Sequence, residues 1–251
     1  MIDLAAIPDQ DLKETLELVH PNVLENCDLV TPETLGSKHL LHVSTLKQNE
    51  LTPYISVRAN EVEDNTIPRI YVGKTLLNCL EGYASFLKDT ACNRSNAATG
   101  YQGGYHIYII PFEYALRPNQ KLVQVAHQTK EHWLIKYKEE NVTYKPEAIG
   151  EMIVKSYNIR PDKDPYKTTI SVNVIIHNPL DIKLFISDDI QVSKGYWNLE
   201  IVTEALTVET NFYYCKVTEP VEVPEEIYKQ HKHTQTALEE VDIKKPKCLS
   251  W

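Results

Sequence analysis

Hydrophobic residues in the first third of the chain alternate between helical and strand-like spacing. Over 9–19, apolar residues recur at intervals of three and four after an acidic start, which predicts a short amphipathic helix. Residues 21–37 carry proline, asparagine, aspartate and glycine, and we expect them to cross the surface without regular structure. Apolar runs over 38–43 and 69–72 predict two core strands. The polar stretch 44–68 between them is long for a simple connection, so we expect a functional loop.

A second amphipathic helix is predicted directly after residue 73. Leu76, Leu80 and Tyr83 belong to an apolar stripe at helical spacing, and Thr75 is placed to cap the first turn. The stripe is too wide to face water, so this helix is expected to lie against a sheet. The residues at 91–104 are rich in asparagine, serine and glycine, and we expect them to form a mobile loop.

The middle of the chain predicts further strands. Along 105–111, both faces of the predicted strand carry apolar as well as polar residues, so this strand is expected to be central in its sheet. Arg117, Pro118 and Asn119 predict a turn. Alternating or β-branched runs predict the other strands of this part, at 122–126, 131–135 and 142–155.

The pattern changes after Tyr157. Residues 160–165 predict a linker or surface turn, and the alternating apolar residues beyond them predict antiparallel hairpins, either as a second small domain or as an added sheet. Pro224 with acidic neighbours predicts the start of a polar helix that runs to about residue 240. The expected organisation is a first domain over 1–157, a β-hairpin extension over 158–222, and a terminal helix and tail over 223–251.

Composition and charge narrow the function classes. The chain has 251 residues, 42% hydrophobic and 24% charged, which is typical of a globular protein with a sizeable core. The formal charge of −9 argues against non-specific nucleic-acid binding, which depends on cationic side chains. Apolar runs fall short of the roughly 20 residues that span a bilayer, and the N-terminus has no basic or apolar leader. We therefore expect a cytoplasmic protein without a membrane partner.

Cysteine and histidine spacing does not indicate a metal site. The five cysteines lie far apart with no C-x-x-C pair, so free thiols are expected. His127, His132, His231 and His233 lack a further ligand at fixed spacing, and no bound metal is expected. The chain contains no G-x-S-x-G, no H-E-x-x-H and no phosphate-binding glycine loop, so hydrolase, zinc-protease and NTPase functions lack support.

Four residues within 38–155 occur in an order that resembles the ADP-ribosyltransferase fold. His42 stands in His-Val-Ser on the first predicted strand and Tyr71 in Arg-Ile-Tyr-Val on the second. Tyr83 lies in the helix that follows, and Glu131 stands in Thr-Lys-Glu-His-Trp near a later strand. The resemblance implies an α+β fold with a split antiparallel or mixed sheet, here followed by a β-rich C-terminal extension and a terminal helix.

The resemblance also implies NAD as cofactor, with ADP-ribose transferred to an unknown acceptor, such as a protein, or NAD hydrolysed. His42 would orient the ribose, Tyr71 would hold nicotinamide, and Glu131 would stabilise the cation formed as nicotinamide leaves. These three are the expected catalytic residues. Arginine suits a pyrophosphate because its guanidinium is a planar fork of donors. The expected cofactor-binding residues are Ser44, Arg58, Arg69, Thr75 and Tyr83.

The sequence departs from that family at two positions. Eleven residues separate Tyr71 from Tyr83, one more than expected. Thr129 stands two residues before Glu131, where arginine-directed members carry an acid or a glutamine. Arg69 is notable in any interpretation, because a cation that enters a buried strand needs a partner, either an anionic ligand or Glu63.

Each of these residues also has a structural interpretation. His42 can be a hydrogen-bonded structural histidine, Tyr83 a core residue and Glu131 a solvated strand end. Two other function classes stay open. The chain can be a non-catalytic interaction or virion-type structural protein whose tyrosine-rich strands form an interface. It can also be an ADP-ribose or nucleotide-binding module without catalysis.

Overall fold

A computed structural model of the chain describes residues 2–7, 9–17, 21–55, 67–81, 104–123, 130–135, 143–159, 167–177, 184–205 and 213–227. The helices are a 3₁₀ turn at Leu4–Ala6, α1 at Gln10–Glu17, α2 at Pro21–Asn26, α3 at Pro32–Leu35 and α4 at Leu76–Glu81. The strands are β1 Cys27–Val30, β2 His39–Ser44, β3 Arg69–Val72, β4 Gly104–Pro111, β5 Ala115–Pro118, β6 His132–Ile135, β7 Glu147–Ile159, β8 Lys167–Ile176, β9 Leu184–Phe185, β10 Gln191–Val192, β11 Gly195–Ala205, β12 Tyr213–Val217 and β13 Val221–Glu222.

The strands form two main sheets, and every pairing between named strands is antiparallel. The large sheet has the order β12-β11-β8-β7-β4-β2, with β13 beside β11. The small sheet has the order β1-β5-β6-β3, and β9 pairs with β10 as a separate hairpin. This agrees with the predicted α+β class and with the expectation of antiparallel or mixed strand pairing.

The main core lies on one face of the large sheet. Strand alternation places Leu41, Ile107 and Val172 on this face, where they are buried against the apolar side of α4 and the β9–β10 hairpin. The hairpin also supports α4 through its backbone, because the Leu77 N–H donates to the Ile186 carbonyl at 3.0 Å. One N–H in the first turn of the helix is thereby satisfied by a segment more than a hundred residues later.

The small sheet is covered on both faces. Ile70 and Leu134 lie on the face that packs against Leu40 and Ile110 of the large sheet. The opposite face carries Trp133, which packs against the buried leucines of α1 within a separate apolar cluster. The small sheet is therefore a middle layer between the large sheet and the N-terminal helices.

The two sheets meet at a fork between β2 and β3. The Leu41 N–H donates to the Gly73 carbonyl at 2.7 Å, and the Gly73 N–H donates back to Leu41 at 2.9 Å. On its other side β2 pairs with β4, so Leu41 connects the large sheet to the end of β3. A Cβ on Gly73 would lie 2.7 Å from the Cβ of Asn78, so glycine is required for α4 to start this close to the fork.

Most predicted elements that fall on described residues are confirmed. The helix at 9–19, the strands at 38–43 and 69–72, and the strand at 131–135 match α1, β2, β3 and β6. β4 lies between β7 and β2, as expected for a central strand. The predicted mobile loop at 91–104, the linker at 160–165 and the terminal helix beyond residue 227 lie almost entirely outside the described residues.

Two local predictions are wrong. Residues 21–37 contain α2, β1 and α3 rather than an irregular crossing. Thr31 caps α3 at its start and Gly36 ends it with a left-handed φ of 69°. Arg117 and Pro118 were expected in a turn, but they end strand β5 because its register with β1 continues to the pair Cys27 and Pro118.

The expected domain boundary after residue 157 falls inside β7. That strand pairs with β8 from Gly150 opposite Ile176 to Ile159 opposite Thr168. The described part of the predicted extension therefore continues the large sheet through β8, β11 and β12. Among the described residues, no helix has the length and apolar character needed to cross a bilayer.

Candidate functional site

Three of the predicted site residues lie on neighbouring strands around the fork. His42 is on β2, Tyr71 is on β3, and Glu131 directly precedes β6, the partner of β3. Neighbouring strands are about 4.8 Å apart, so the three backbones span about 10 Å. Arg58 and Tyr83 lie outside the described residues.

His42 bonds to β3 beside the backbone bridge of the fork. Its Nδ1 donates to the Tyr71 carbonyl oxygen at 2.8 Å. Because a carbonyl only accepts, Nδ1 carries the proton and Nε2 of the neutral ring is an acceptor. Burial lowers the pKa of His42, although the hydrogen bond to Tyr71 opposes this effect. The ring is therefore neutral at pH 7, with a fixed orientation.

Arg69 is fully buried and stacks against two aromatic rings. Its Cζ lies 4.1 Å from the ring centroid of Trp133 and 5.0 Å from that of Tyr71. Nη2 donates to the Tyr71 hydroxyl at 2.8 Å, and Nη1 donates to the Ile67 carbonyl at 3.3 Å. A weakly hydrated, planar guanidinium suits such a stack. The expected contact of Arg69 with a ligand phosphate disagrees with its exposure of 0%.

Glu131 belongs to the same cluster. Its Oε1 accepts a hydrogen bond from the Trp133 indole Nε1 at 2.7 Å. Tyr71 and Trp133 are directly opposed across β3 and β6, so the chain of contacts runs from Glu131 through Trp133 and Arg69 to Tyr71. The indole N–H therefore fixes the orientation of the Glu131 carboxylate.

The side chains of the three predicted catalytic residues do not share one face. Tyr71 and Glu131 contact the Arg69 and Trp133 side chains, on the face of the small sheet that packs against the N-terminal helices. His42 instead reaches the backbone of Tyr71 from β2. The structure thus brings the three positions together along the strands and separates their side chains into two groups.

Ser44 and Thr75 both have structural contacts. The Ser44 hydroxyl is buried and accepts from the Leu46 N–H at 3.1 Å and from Gln48 Nε2 at 3.2 Å, which shapes the turn after β2. The Thr75 hydroxyl accepts from the Asn78 N–H at 3.2 Å, confirming it as the cap of α4. These contacts account for both residues without a ligand.

A row of polar side chains that sequence reasoning missed crosses the large sheet beside His42. Tyr108 lies opposite His42, with ring centroids 6.3 Å apart, and its hydroxyl accepts from the Gln48 N–H at 2.7 Å. Two residues along β4, His106 Nδ1 lies 3.8 Å from Glu151 Oε1. Alternation along 105–111 was the available signal, since it places His106 and Tyr108 on the same face.

His132 is a second residue whose environment the sequence did not reveal. It is 3% exposed, and neither ring nitrogen has a hydrogen-bonding partner among the described residues. The pKa of His132 is lowered to about 4, chiefly by burial and next by the positive charge of Arg117; the Lys130 backbone opposes this effect, and the charge of Lys74 adds least to it. His132 is therefore a neutral imidazole in a partly cationic setting.

Comparison with protein-family models, curated proteins and solved structures finds no match to this chain. Within the described ranges, no group of three or more histidine, cysteine, aspartate or glutamate side chains is arranged to hold a metal ion. Of the cysteines described there, Cys27 and Cys79 are free thiols, as predicted. Burial raises the pKa of the Cys79 thiol to about 12, so it is unreactive.

Replacing Arg69 is expected to cost far more stability than replacing an exposed arginine of the same sheet. Arg69→Ala leaves a cavity beside two rings and unpaired polar groups, so we expect a loss of about 3 kcal/mol or more in urea unfolding. Arg117→Ala is the matched control, because its ion pair with Asp28 is 53% and 57% exposed and is worth under about 1 kcal/mol. Equal losses for the two variants would contradict the buried role of Arg69.

Acid is expected to destabilise the fold through His132. Its folded pKa of about 4 lies below the ordinary value of 6.5, so the unfolded chain binds more protons between these values. Stability is complete above pH 6.5 and is lost as the pH falls towards 4, by about 3 kcal/mol. Urea unfolding of the wild type and of His132→Phe should show this as a difference between the two pH profiles. Parallel profiles would rule out the effect.

Proposed function

We propose that the protein binds NAD at the fork between its two sheets and transfers ADP-ribose to an acceptor or to water. In this reaction the bond between the ribose C1′ and nicotinamide breaks, and nicotinamide leaves with the electron pair. The acceptor forms a new bond to C1′ and gives up its proton to solvent. Cys27 and Cys79 are free thiols, which fits a reducing compartment, and we propose that the protein acts in the cytoplasm.

The orientation of His42 is the observation that carries this proposal. With Nδ1 committed to the Tyr71 carbonyl, Nε2 is the remaining hydrogen-bonding atom of the ring and is an acceptor. A ribose hydroxyl is a donor that suits it. The ring also lies where β2 and β3 diverge, beside the last backbone bridge between the two strands.

Glu131 is the proposed carboxylate of the reaction, and the ligand has to extend from His42 past β3 to reach it, because the two side chains belong to different groups around that strand. Positive charge develops on the ribose as nicotinamide leaves, and an oriented carboxylate stabilises that charge without having to reorganise. The hydrogen bond from Trp133 Nε1 supplies the orientation. Arg69 holds Trp133 by stacking, so we assign it a positioning role in place of a contact with the cofactor.

The proposal is tested by following nicotinamide release from NAD. We expect Glu131→Gln to lower the rate by about 100-fold or more, because the amide keeps the shape of the side chain and loses its charge. The exposed Glu113→Gln is the matched control and should keep the wild-type rate. Thermal unfolding of both variants shows whether they are folded. A folded Glu131→Gln protein with the wild-type rate would remove Glu131 from the reaction.

A second candidate function, a non-catalytic interaction protein, is favoured by the exposed apolar residues before β3. Leu46, Tyr54 and Ile55 are 68%, 57% and 47% exposed, and such residues are often covered by a partner. Assembly without any response to NAD, measured by light scattering, would favour this function. Stabilisation by ADP-ribose without nicotinamide release would instead indicate a nucleotide-binding module.

A further inference from the structure

The proposed ligand has one of its ends over the large sheet. Its nicotinamide end runs from His42 on β2 past β3 towards Glu131, which directly precedes β6. On the other side of β2 the large sheet continues through β4 and then β7. A dinucleotide held at His42 and Glu131 therefore has its diphosphate and its adenosine over β4 and β7.

A row of polar side chains crosses these strands on the same face as His42. Tyr108 on β4 is opposite His42, His106 stands two residues away on β4, and Glu151 on β7 is opposite His106. Opposed residues of antiparallel strands share a face, and so do residues two apart on one strand. The ring centroids of Tyr108 lie 6.3 Å from those of both His42 and His106, so ring contacts as well as register join the row.

The far end of the row is open to a ligand. His106 Nδ1 lies 3.8 Å from Glu151 Oε1, which is longer than a hydrogen bond, and the two side chains are 26% and 43% exposed. In the described parts of the chain, no hydrogen bond is donated to the Glu151 carboxylate. Its oxygens can therefore accept hydrogen bonds from two neighbouring hydroxyls, which is what a ribose diol supplies.

A turn holds a cation between the two ends of the row. The Tyr108 hydroxyl accepts from the Gln48 N–H at 2.7 Å and donates to the Leu46 carbonyl at 3.4 Å, so the backbone of Lys47 is fixed beside Tyr108. Lys47 is exposed, and it forms no ion pair within the described ranges. Its long, flexible side chain can reach an anionic group that lies between His42 and Glu151.

We propose that Glu151, beside His106, binds the adenosine ribose of the ligand, that Lys47 binds its diphosphate, and that Glu151 makes the site selective for NAD over NADP. Strand spacing and rise place the backbones of His42 and Glu151 about 12 Å apart, which an extended diphosphate linkage between two riboses can span. A carboxylate accepts a hydrogen bond from a 2′ hydroxyl and repels a 2′ phosphate. The inference rests on the proposed function for the identity of the ligand, and the selectivity can be measured without the reaction.

The first test measures the binding of ADP-ribose and of 2′-phospho-ADP-ribose to the full chain by calorimetry. We expect the wild type to bind ADP-ribose about tenfold or more tightly than the phosphorylated ligand, because like charges repel. Glu151→Gln should reduce this preference to about twofold or less, and Glu151→Lys should reverse it.

Glu147→Gln is the matched control for this test. Glu147 is also on β7, but it is opposite Ile109, whose side chain lies in the main core on the other face of the sheet. This variant should keep the wild-type preference. Thermal unfolding shows whether each variant is folded. A folded Glu151→Gln protein with the wild-type preference would overturn the proposal.

A second pair of variants tests the diphosphate contact. Lys47→Ala should weaken the binding of both ligands by a similar factor of about ten, because both carry the diphosphate, and should leave the preference unchanged. The exposed Lys121→Ala is the control and should bind as the wild type does. Equal weakening by the two variants would show a general attraction of anions and would overturn the assignment of Lys47.

The outcome is distinguishable from that of the proposed function. If nicotinamide is released equally fast from NAD and NADP, the selectivity is wrong and the proposed function stands. If the preference for ADP-ribose depends on Glu151 but nicotinamide is not released, the subsite stands and the proposed function fails. If neither ligand binds to the wild type, both are wrong.

Discussion

The junction between β2 and β3 is the constraint on which the two-sheet arrangement depends. Two backbone hydrogen bonds join Leu41 to Gly73. Two residues earlier on β3, the Tyr71 carbonyl accepts a hydrogen bond from the His42 ring rather than from the backbone of another strand. A buried carbonyl without a partner costs free energy, so a side-chain donor is needed where the strands separate. The imidazole meets that need and lets the small sheet turn away from the large one. Further along, Tyr54 pairs with Arg69 and covers the same edge of β3.

The two faces of the small sheet stabilise this junction in different ways. The face towards the large sheet is apolar apart from residues at its end, where His132 and Arg117 lie. The face towards the N-terminal helices contains a buried cation, Arg69, stacked against Trp133. A guanidinium in that position joins β3 to β6 through ring contacts as well as through the ladder. The same contacts hold Glu131 in place, so the proposed chemistry depends on groups that also stabilise the fold.

Local periodicity was sufficient to predict the elements nearest the candidate site. The runs around His42 and Tyr71 become β2 and β3, and Thr75 caps α4, because short-range patterns determine these elements. Within 21–37, helix α3 was predictable from the sequence. The threonine and proline at its start and the glycine at its end are typical helix boundary residues. No local signal in the sequence indicates that the sheet continues past residue 157, because that continuation depends on the register in which β7 pairs with β8.

Side-chain environments were less predictable than the strands that carry them. From the sequence we expected the buried cation of Arg69 to require a partner. Its described partners include two aromatic residues, one on β3 and one on β6. From the order of His42, Tyr71 and Glu131 along the chain we expected the three positions to lie close together. That order did not reveal that Tyr71 and Glu131 share the Arg69 cluster while the His42 ring bonds to the Tyr71 backbone and lies beside Tyr108, because strand alternation assigns faces only once the register is known.

The tautomer of His42 tests the account most directly, and it can be measured by the ¹⁵N resonances of the ring in the intact protein at pH 7. A proton on Nδ1 and none on Nε2 is the predicted result, since the Tyr71 carbonyl accepts from Nδ1 at the junction of the sheets. A proton on Nε2 alone, or a doubly protonated ring, would contradict both the closure of the junction and the acceptor atom proposed for the ribose.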